Sequence, residues 1–371
     1  MSFDSPLVLV LFNRRDCTAM MPQKKRFPRL ASLLGCLASI ALIAICSGFT
    51  PNDMTREDPR NQPLDVHLDP HEVVGYEACS KCHTAEIETW KKTPHFQTFL
   101  TLHRNPEAKK IAERLGIQSF KSDSRCIQCH YTMQPQEGTL EAISGISCES
   151  CHGAAKNWVN VHYDYGGANV TREQESPAHR LQRLRESISQ GMRNPINVYL
   201  LAQSCYRCHT VPDEELVNVG GHKAGSLDFE IVSWSQGMVR HNFVRSNGKT
   251  NDPSSRDRLR QMFVAGLIAD LEFSLRSTAR ATTKADFGIT SAKRAKRAAD
   301  RLRSAQEKLS QPILDEVLVA FDSIKLKINN RESLEEAAGK INKLGIKFAA
   351  TVPGKDLEGI DSYIPGEDRW K

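Results

Sequence analysis

Cys79-Ser80-Lys81-Cys82-His83, Cys126-Ile127-Gln128-Cys129-His130, Cys148-Glu149-Ser150-Cys151-His152 and Cys205-Tyr206-Arg207-Cys208-His209 are four copies of one pattern, Cys-x-x-Cys-His. Residues at i, i+3 and i+4 share one face of a helical turn. Two thiols placed there can each add to a vinyl group of a haem while the imidazole beside them reaches the iron. The spacing is therefore that of c-type haem attachment, with the histidine as proximal axial ligand. A lone Cys-x-x-Cys also serves zinc half-sites and redox dithiols, but zinc has no need of His directly after the second Cys in every copy. Eight of the 11 cysteines lie in these motifs, which leaves no disulfide framework for the region. The expected cofactors are four covalently bound haems c. Cys79, Cys82, Cys126, Cys129, Cys148, Cys151, Cys205 and Cys208 attach them, and His83, His130, His152 and His209 ligate iron.

The N-terminal residues speak to compartment. Lys24, Lys25, Arg26 and Arg29 precede an apolar stretch from Leu30 to Phe49, the order of a secretory signal. The stretch is also near the ~20 residues that span a bilayer, so residues 1–49 read as a signal peptide or an N-terminal membrane anchor. Haem attachment takes place outside the cytoplasmic membrane, which agrees with export. A periplasmic or exported protein is expected, free or tethered. Cys17, Cys36 and Cys46 precede the mature part and carry no chemistry.

Residues 50–71, rich in Pro, Asp and Asn, read as a linker. Residues 72–251 hold every motif and few apolar runs, as expected if macrocycles form the core. The second and third motifs are separated only by Tyr131 to Ser147, so their sites are neighbours. Composition shifts near Asp252-Pro253. From there Leu259, Phe263, Leu267, Leu271 and Leu275 recur every fourth residue, with Val264 and Ile268 widening the stripe. A basic segment with Lys293, Arg294, Lys296, Arg297, Arg301 and Arg303 follows. Pro312 opens a helix with Leu314, Val317, Leu318, Phe321 and Ile328 on one face, and Ser333-x-x-Glu336 reads as a capping box. The fold class expected is mainly α. A multihaem cytochrome c domain with little regular structure is followed by a C-terminal helical bundle or hairpin over 252–350 and a loop-like tail, 351–371.

Low-spin iron needs a sixth ligand, and His/His ligation suits a low-potential carrier. His95 lies between Trp90 and Phe96, and His162 beside Trp158 and Tyr163. His222 follows Gly220-Gly221, where backbone can approach closely. His241 lies beside Phe243, with Arg240 suited to a haem propionate. These four are the candidate distal ligands. His179 and His103 are reserves, and His67 and His71 belong to the linker. Met192 and Met238 offer thioethers, though Met more often packs.

Together these residues resemble the tetrahaem cytochrome c-554 family. The resemblance runs from about Gly75 to His209, roughly a third of the chain by motif. It rests on Cys79 to His83 followed by Trp90-Lys91-Lys92-Thr93-Pro94-His95, and on Gly145-Ile146-Ser147 leading into the third motif, Gly153 and His162. It implies electron transfer between redox enzymes and membrane-associated partners through stacked haem pairs, with His95 and His162 as axial ligands. It also implies one haem with an open sixth position. The segment from Gly220 to Phe243 departs from the family pattern and could close that position. The C-terminal helices have no counterpart there.

Electron transfer is the leading expectation, because a row of haems needs no catalytic acid or base. A formal net charge of +6 suits acidic redox partners; nucleic acid is not expected. The alternative is an oxidoreductase acting on a small nitrogen or sulfur compound at a five-coordinate haem, with Arg240, His179 or Tyr206 moving protons. A third reading is a sensor or structural subunit whose C-terminal helices mediate homo-oligomerisation.

Overall fold

A computed structural model describes residues 68–371. The expected export segment, most of the linker, Cys17, Cys36, Cys46 and His67 lie outside the described residues.

The first half is built from short helices whose ends are set by local chemistry. α1 (Thr84–Trp90) starts directly after the first motif, and α2 (Pro94–Thr101) starts on Pro94 with Thr93 accepting from the Phe96 N–H, the favoured arrangement for a proline in a first turn. α3 (Pro106–Leu115) is capped by Asn105, which accepts from Glu107 N and Ala108 N, and stops at Gly116 with φ 66°. α4 (Ser124–His130) and α5 (Cys148–His152) carry the second and third motifs, and both end on the motif histidine. Between them lies a β-hairpin absent from the sequence expectation, β1 (Thr132–Gln136) and β2 (Thr139–Ser144). Its turn residues Glu137 and Gly138 both have positive φ, 48° and 87°, as a two-residue hairpin turn requires. The long segment 153–176 contains no helix or strand. It leads into α6 (Pro177–Ser189), and α7 (Val198–His209) carries the fourth motif at its C-terminal end. α8 (Glu214–Asn218) and α9 (Ile231–Gln236) complete this half.

The second half is organised by α10 (Arg256–Arg280), which starts at the expected place with Ser255 as its cap. At about 1.5 Å rise per residue it spans close to 37 Å. The whole expected stripe is buried, from Leu259 to Leu275, and so are residues on the other faces, among them Ala265, Ala269 and Ser274. A helix buried all round is a central element. α11 (Asp286–Leu309) and α13 (Arg331–Thr351) flank it, α12 (Pro312–Asp322) covers those two, and α7 and α9 pack on its remaining sides. The composition break at Asp252 is thus no break in packing, and the described residues, 68–371, form one compact unit.

Three local expectations are corrected. Ile328 lies beyond the end of α12 and is exposed. Ser333 sits inside α13, whose first residue is Arg331, so the Ser-x-x-Glu pattern is not its cap. The tail is not a loose loop: Gly354–Tyr363 is 3-10 helical, with Leu357 and Ile360 fully buried against α10 and α11. Arg260 fixes it there by two 2.7 Å bonds to the Asp361 carboxylate.

Helix α7 is anchored by polar contacts as well as apolar ones. The buried Glu272 carboxylate on α10 accepts from Tyr199 Oη at 2.5 Å and Gln203 Nε2 at 2.9 Å on α7. It also accepts from Arg276 Nε at 3.0 Å and Asn342 Nδ2 at 3.2 Å. A buried carboxylate is tolerated when it is paired and bonded in this way. On α13, Gly345 lets the helix approach Tyr199 directly: a Cβ there would meet ring carbons at 2.2, 2.3 and 2.7 Å. Gly339, on the same helix, has nothing within 4 Å of an added Cβ.

The two glycines therefore respond oppositely to alanine. Gly339→Ala should stabilise by about 0.5–1 kcal/mol through helix propensity alone. Gly345→Ala should destabilise by about 1–3 kcal/mol, because the ring cannot yield without repacking. Urea or thermal midpoints of the two variants test this; a raised midpoint in Gly345→Ala would mean that α13 does not press on α7.

Candidate haem attachment and ligand sites

The four motifs present their side chains as the spacing requires. Helical residues Ser124–His130, Cys148–His152 and Val198–His209 place three of them on a final helical turn. In the first, the His83 N–H reaches Cys79 O at 3.0 Å, an equivalent turn just outside α1. All eight motif thiols are free, none in a disulfide.

A second imidazole accompanies three of the four motif histidines. The ring centres of His83 and His162 are 6.4 Å apart, those of His95 and His209 6.3 Å, and those of His152 and His241 6.2 Å. Burial above all, with smaller charge effects from His222 and His95, lowers the pKa of His130 to about 4. An imidazole nitrogen binds a first-row metal ion at about 2 Å and the ring centre lies about 1 Å beyond, so two imidazoles on one ion stand roughly 6 Å centre to centre. The observed spacings match that value. These residues fit haem iron held between two histidines.

The distal rings are oriented by the chain's own carbonyls. Nδ1 of His162 lies 2.6 Å from Val159 O, that of His222 2.7 Å from Lys223 O, and that of His241 2.7 Å from Val239 O. An N–H donated there fixes the tautomer and leaves Nε2 with its lone pair outward, the usual arrangement around a metal-bound imidazole. His152 Nδ1 faces Arg193 O at 3.4 Å, and the Arg193 N–H donates to His152 O at 2.8 Å. Burial also works for ligation: it lowers His95 and His162, takes His152 to about 4 and His209 to about 3. The rings stay neutral, which is the form that binds iron.

Further ties bring the sites together. His95 O accepts from Ile146 N at 3.0 Å, and Thr98 Oγ1 bonds both His95 O and His130 O at 2.9 Å. This needs glycine at 145, where a Cβ would lie 2.1 Å from His95 O. Trp90 Nε1 donates to Ile146 O at 2.7 Å. Glu149, inside the third motif and fully buried, accepts from Val74 N, Gly75 N and Ala155 N at 3.0, 2.9 and 2.8 Å. It thereby fastens the lead-in to the first motif onto the third.

Adjacent sites touch in a definite order. The Cys79 and Cys148 thiols are in hydrogen-bond contact, as are those of Cys129 and Cys208. Ser204 Oγ donates to Cys151 O at 2.8 Å, and Arg207 bonds Ser150 O. The row runs first, third, fourth, second.

The other sequence candidates are placed elsewhere. His179 Nδ1 lies 2.8 Å from Glu175 Oε1, whereas His103 and His71 are exposed. Met192 Sδ accepts from Asn194 at 3.5 Å and Met238 is exposed. Arg240 donates to Gln236 O and lies over Trp370, 5.5 Å from the ring centre. Two contributors were not legible in the sequence: Glu149, and Phe229, which stacks on His209 at 4.0 Å and 12°. Nothing in the spacing marks Phe229, since the loop that delivers it is positioned by α10 and α11.

Residues 78–153 match the family described as Cytochrome c554 and c-prime. Cytochrome c-554 of Nitrosomonas europaea is 32% identical over 111 residues, which is 28% of this chain and 47% of that protein. The chain therefore spans about half the length of that curated relative. No solved structure matches it. Over this segment the chain is similar to the cytochrome c-554-like c-type cytochromes.

Proposed function

We propose that the protein is an exported electron-transfer cytochrome holding four covalent haems c, with paired ligands His83/His162, His130/His222, His152/His241 and His209/His95. The observation that carries this is the recurring centre-to-centre spacing of 6.2–6.4 Å between a motif imidazole and a second imidazole. When bound, the haems supply one-electron chemistry at iron.

The chain's contribution is placement. Backbone carbonyls at Val159, Lys223 and Val239 hold the distal rings in the ligating tautomer. Burial favours the neutral form of the His95, His130, His152, His162 and His209 imidazoles. Contact between neighbouring motifs makes one continuous row, the arrangement a carrier requires. Redox partners with acidic docking faces suit the net charge of +6. The basic and then apolar order of residues 24–49 supports export. The competing reading, reduction or oxidation of a small nitrogen or sulfur compound, needs an iron with one imidazole only. The second imidazole beside His83, His152 and His209 weighs against it at those three sites, and at the second site the reading rests on His222 as the proposed ligand.

Electron paramagnetic resonance of the oxidised holoprotein, with haem quantified, should give four haems per chain and low-spin ferric signals only. A high-spin signal that responds to nitric oxide in the unmodified protein would overturn the carrier reading in favour of the enzyme. His222→Ala should convert the second site alone to a high-spin, nitric-oxide-binding form. If all sites in that variant stay low-spin, His222 is not the ligand.

A further inference from the structure

The segment 153–176 carries His162 yet contains no helix or strand. Long irregular segments of this kind are usually functional, and their order has to come from side-chain contacts. Within the segment the backbone makes single turns, His162 N to Trp158 O at 3.0 Å and Val159 N to Ala155 O at 2.8 Å. Its far end is closed by one face of α6. Arg183, 9% exposed, grips the Glu175 carboxylate with Nε at 2.7 Å and Nη2 at 2.6 Å, and its Nη1 donates to the carbonyl oxygen of His162 at 2.5 Å. The guanidinium lies over Tyr165, 4.9 Å from the ring centre. One turn earlier on the same face, His179 Nδ1 reaches the same carboxylate at 2.8 Å, and its ring fills the space where a side chain at Gly166 would stand. Glu175 has no exposed side-chain surface.

We propose that Arg183, buttressed by Glu175 and His179, is the positioning residue for the sixth ligand of the first site. The inference rests on the reading that His162 is that ligand. The physical reason is that only a planar guanidinium can hold a carboxylate through two parallel bonds and still direct a third N–H to a backbone carbonyl. That third bond fixes the residue bearing the imidazole, whereas Val159 O fixes only the rotation of its ring. Without it, the segment is held to α6 by His179 on Glu175, and the packing of Trp158 on His162, 5.3 Å between ring centres, is internal to the segment. The His162 ring would then leave the iron for part of the time.

Arg183→Met holoprotein is the test. At unchanged haem content, it should show one of the four haems in a high-spin or exchanging form that binds carbon monoxide when reduced. Added imidazole should return that haem to low spin, a rescue that a general loss of stability would not give. Arg183→Lys, whose ammonium keeps the charge but lacks the planar fork that spans carboxylate and carbonyl together, should lie between the two. If the Met variant does not load haem, Glu175→Gln decides the matter, because it keeps the size of the side chain and weakens the grip on Arg183. Four low-spin haems without carbon monoxide binding in these variants would overturn the proposal. His162→Ala separates this from failure of the ligand reading: if its first haem stays low-spin, His162 is not the ligand and the clamp has nothing to position.

Discussion

Three pairs of imidazoles face one another at 6.2–6.4 Å between ring centres, and a chain with few apolar runs in that region has to hold them there. Apolar packing is too undirected for this, because it fixes area more than orientation. The solution in this protein is to spend backbone groups on histidines and on the residues beside them. Carbonyls of Val159, Lys223 and Val239 set ring rotation, while His95, His130, His152 and His162 have their own carbonyls bound from elsewhere in the fold. Each such bond contributes only about 1 kcal/mol net. Their value lies in direction, since each removes a degree of freedom from a ligand.

The helices beyond residue 252 work by the opposite principle. Their stripe of Leu and Phe is consumed inside the chain, around α10, and is not displayed for a second copy. The two kinds of order meet at α7. Its N-terminal half, with Tyr199 and Gln203, belongs to the apolar half through Glu272, and its C-terminal turn is the fourth motif. Arg294, part of the basic segment seen in the sequence, is buried. It bonds Asp270 at 2.5 Å and lies over Tyr206, 5.5 Å from the ring centre.

Legibility from sequence follows the range of the interaction. The motifs and the start of α10 are local patterns, spaced as helix geometry demands, and the chain adopts them. The candidates His95, His162, His222 and His241 were chosen by aromatic or glycine neighbours, and the rings of His95, His162 and His241 each stand within 6.4 Å of a motif histidine. Which stands beside which could not be read, because His162 faces His83 of the first motif while His95 faces His209 of the fourth. That assignment depends on how α2 is laid against the third motif through Gly145 and Ile146. The hairpin 132–144 was missed because Glu-Gly is a weaker turn signal than Asn-Gly or Asp-Gly. The capping box at Ser333 failed because α13 begins earlier, at Arg331, and a capping pattern has meaning only at a helix end.

The same reasoning decides what the C-terminal helices are for. An interaction arm would keep its own core and touch the motif region lightly. Here α10 packs on α7 and α9, and the segment that follows α9 carries His241. The last residues return to this place: Lys371 N donates to Ser233 O at 3.0 Å, and Met238 N to Lys371 O at 2.8 Å. Phe229, stacked on His209, is delivered by a loop whose Ser226 carbonyl is held by Arg294 of α11. Two of the four sites are therefore framed by residues the matched family segment does not include. The helices form the wall against which the fourth motif and the segment carrying His241 are set.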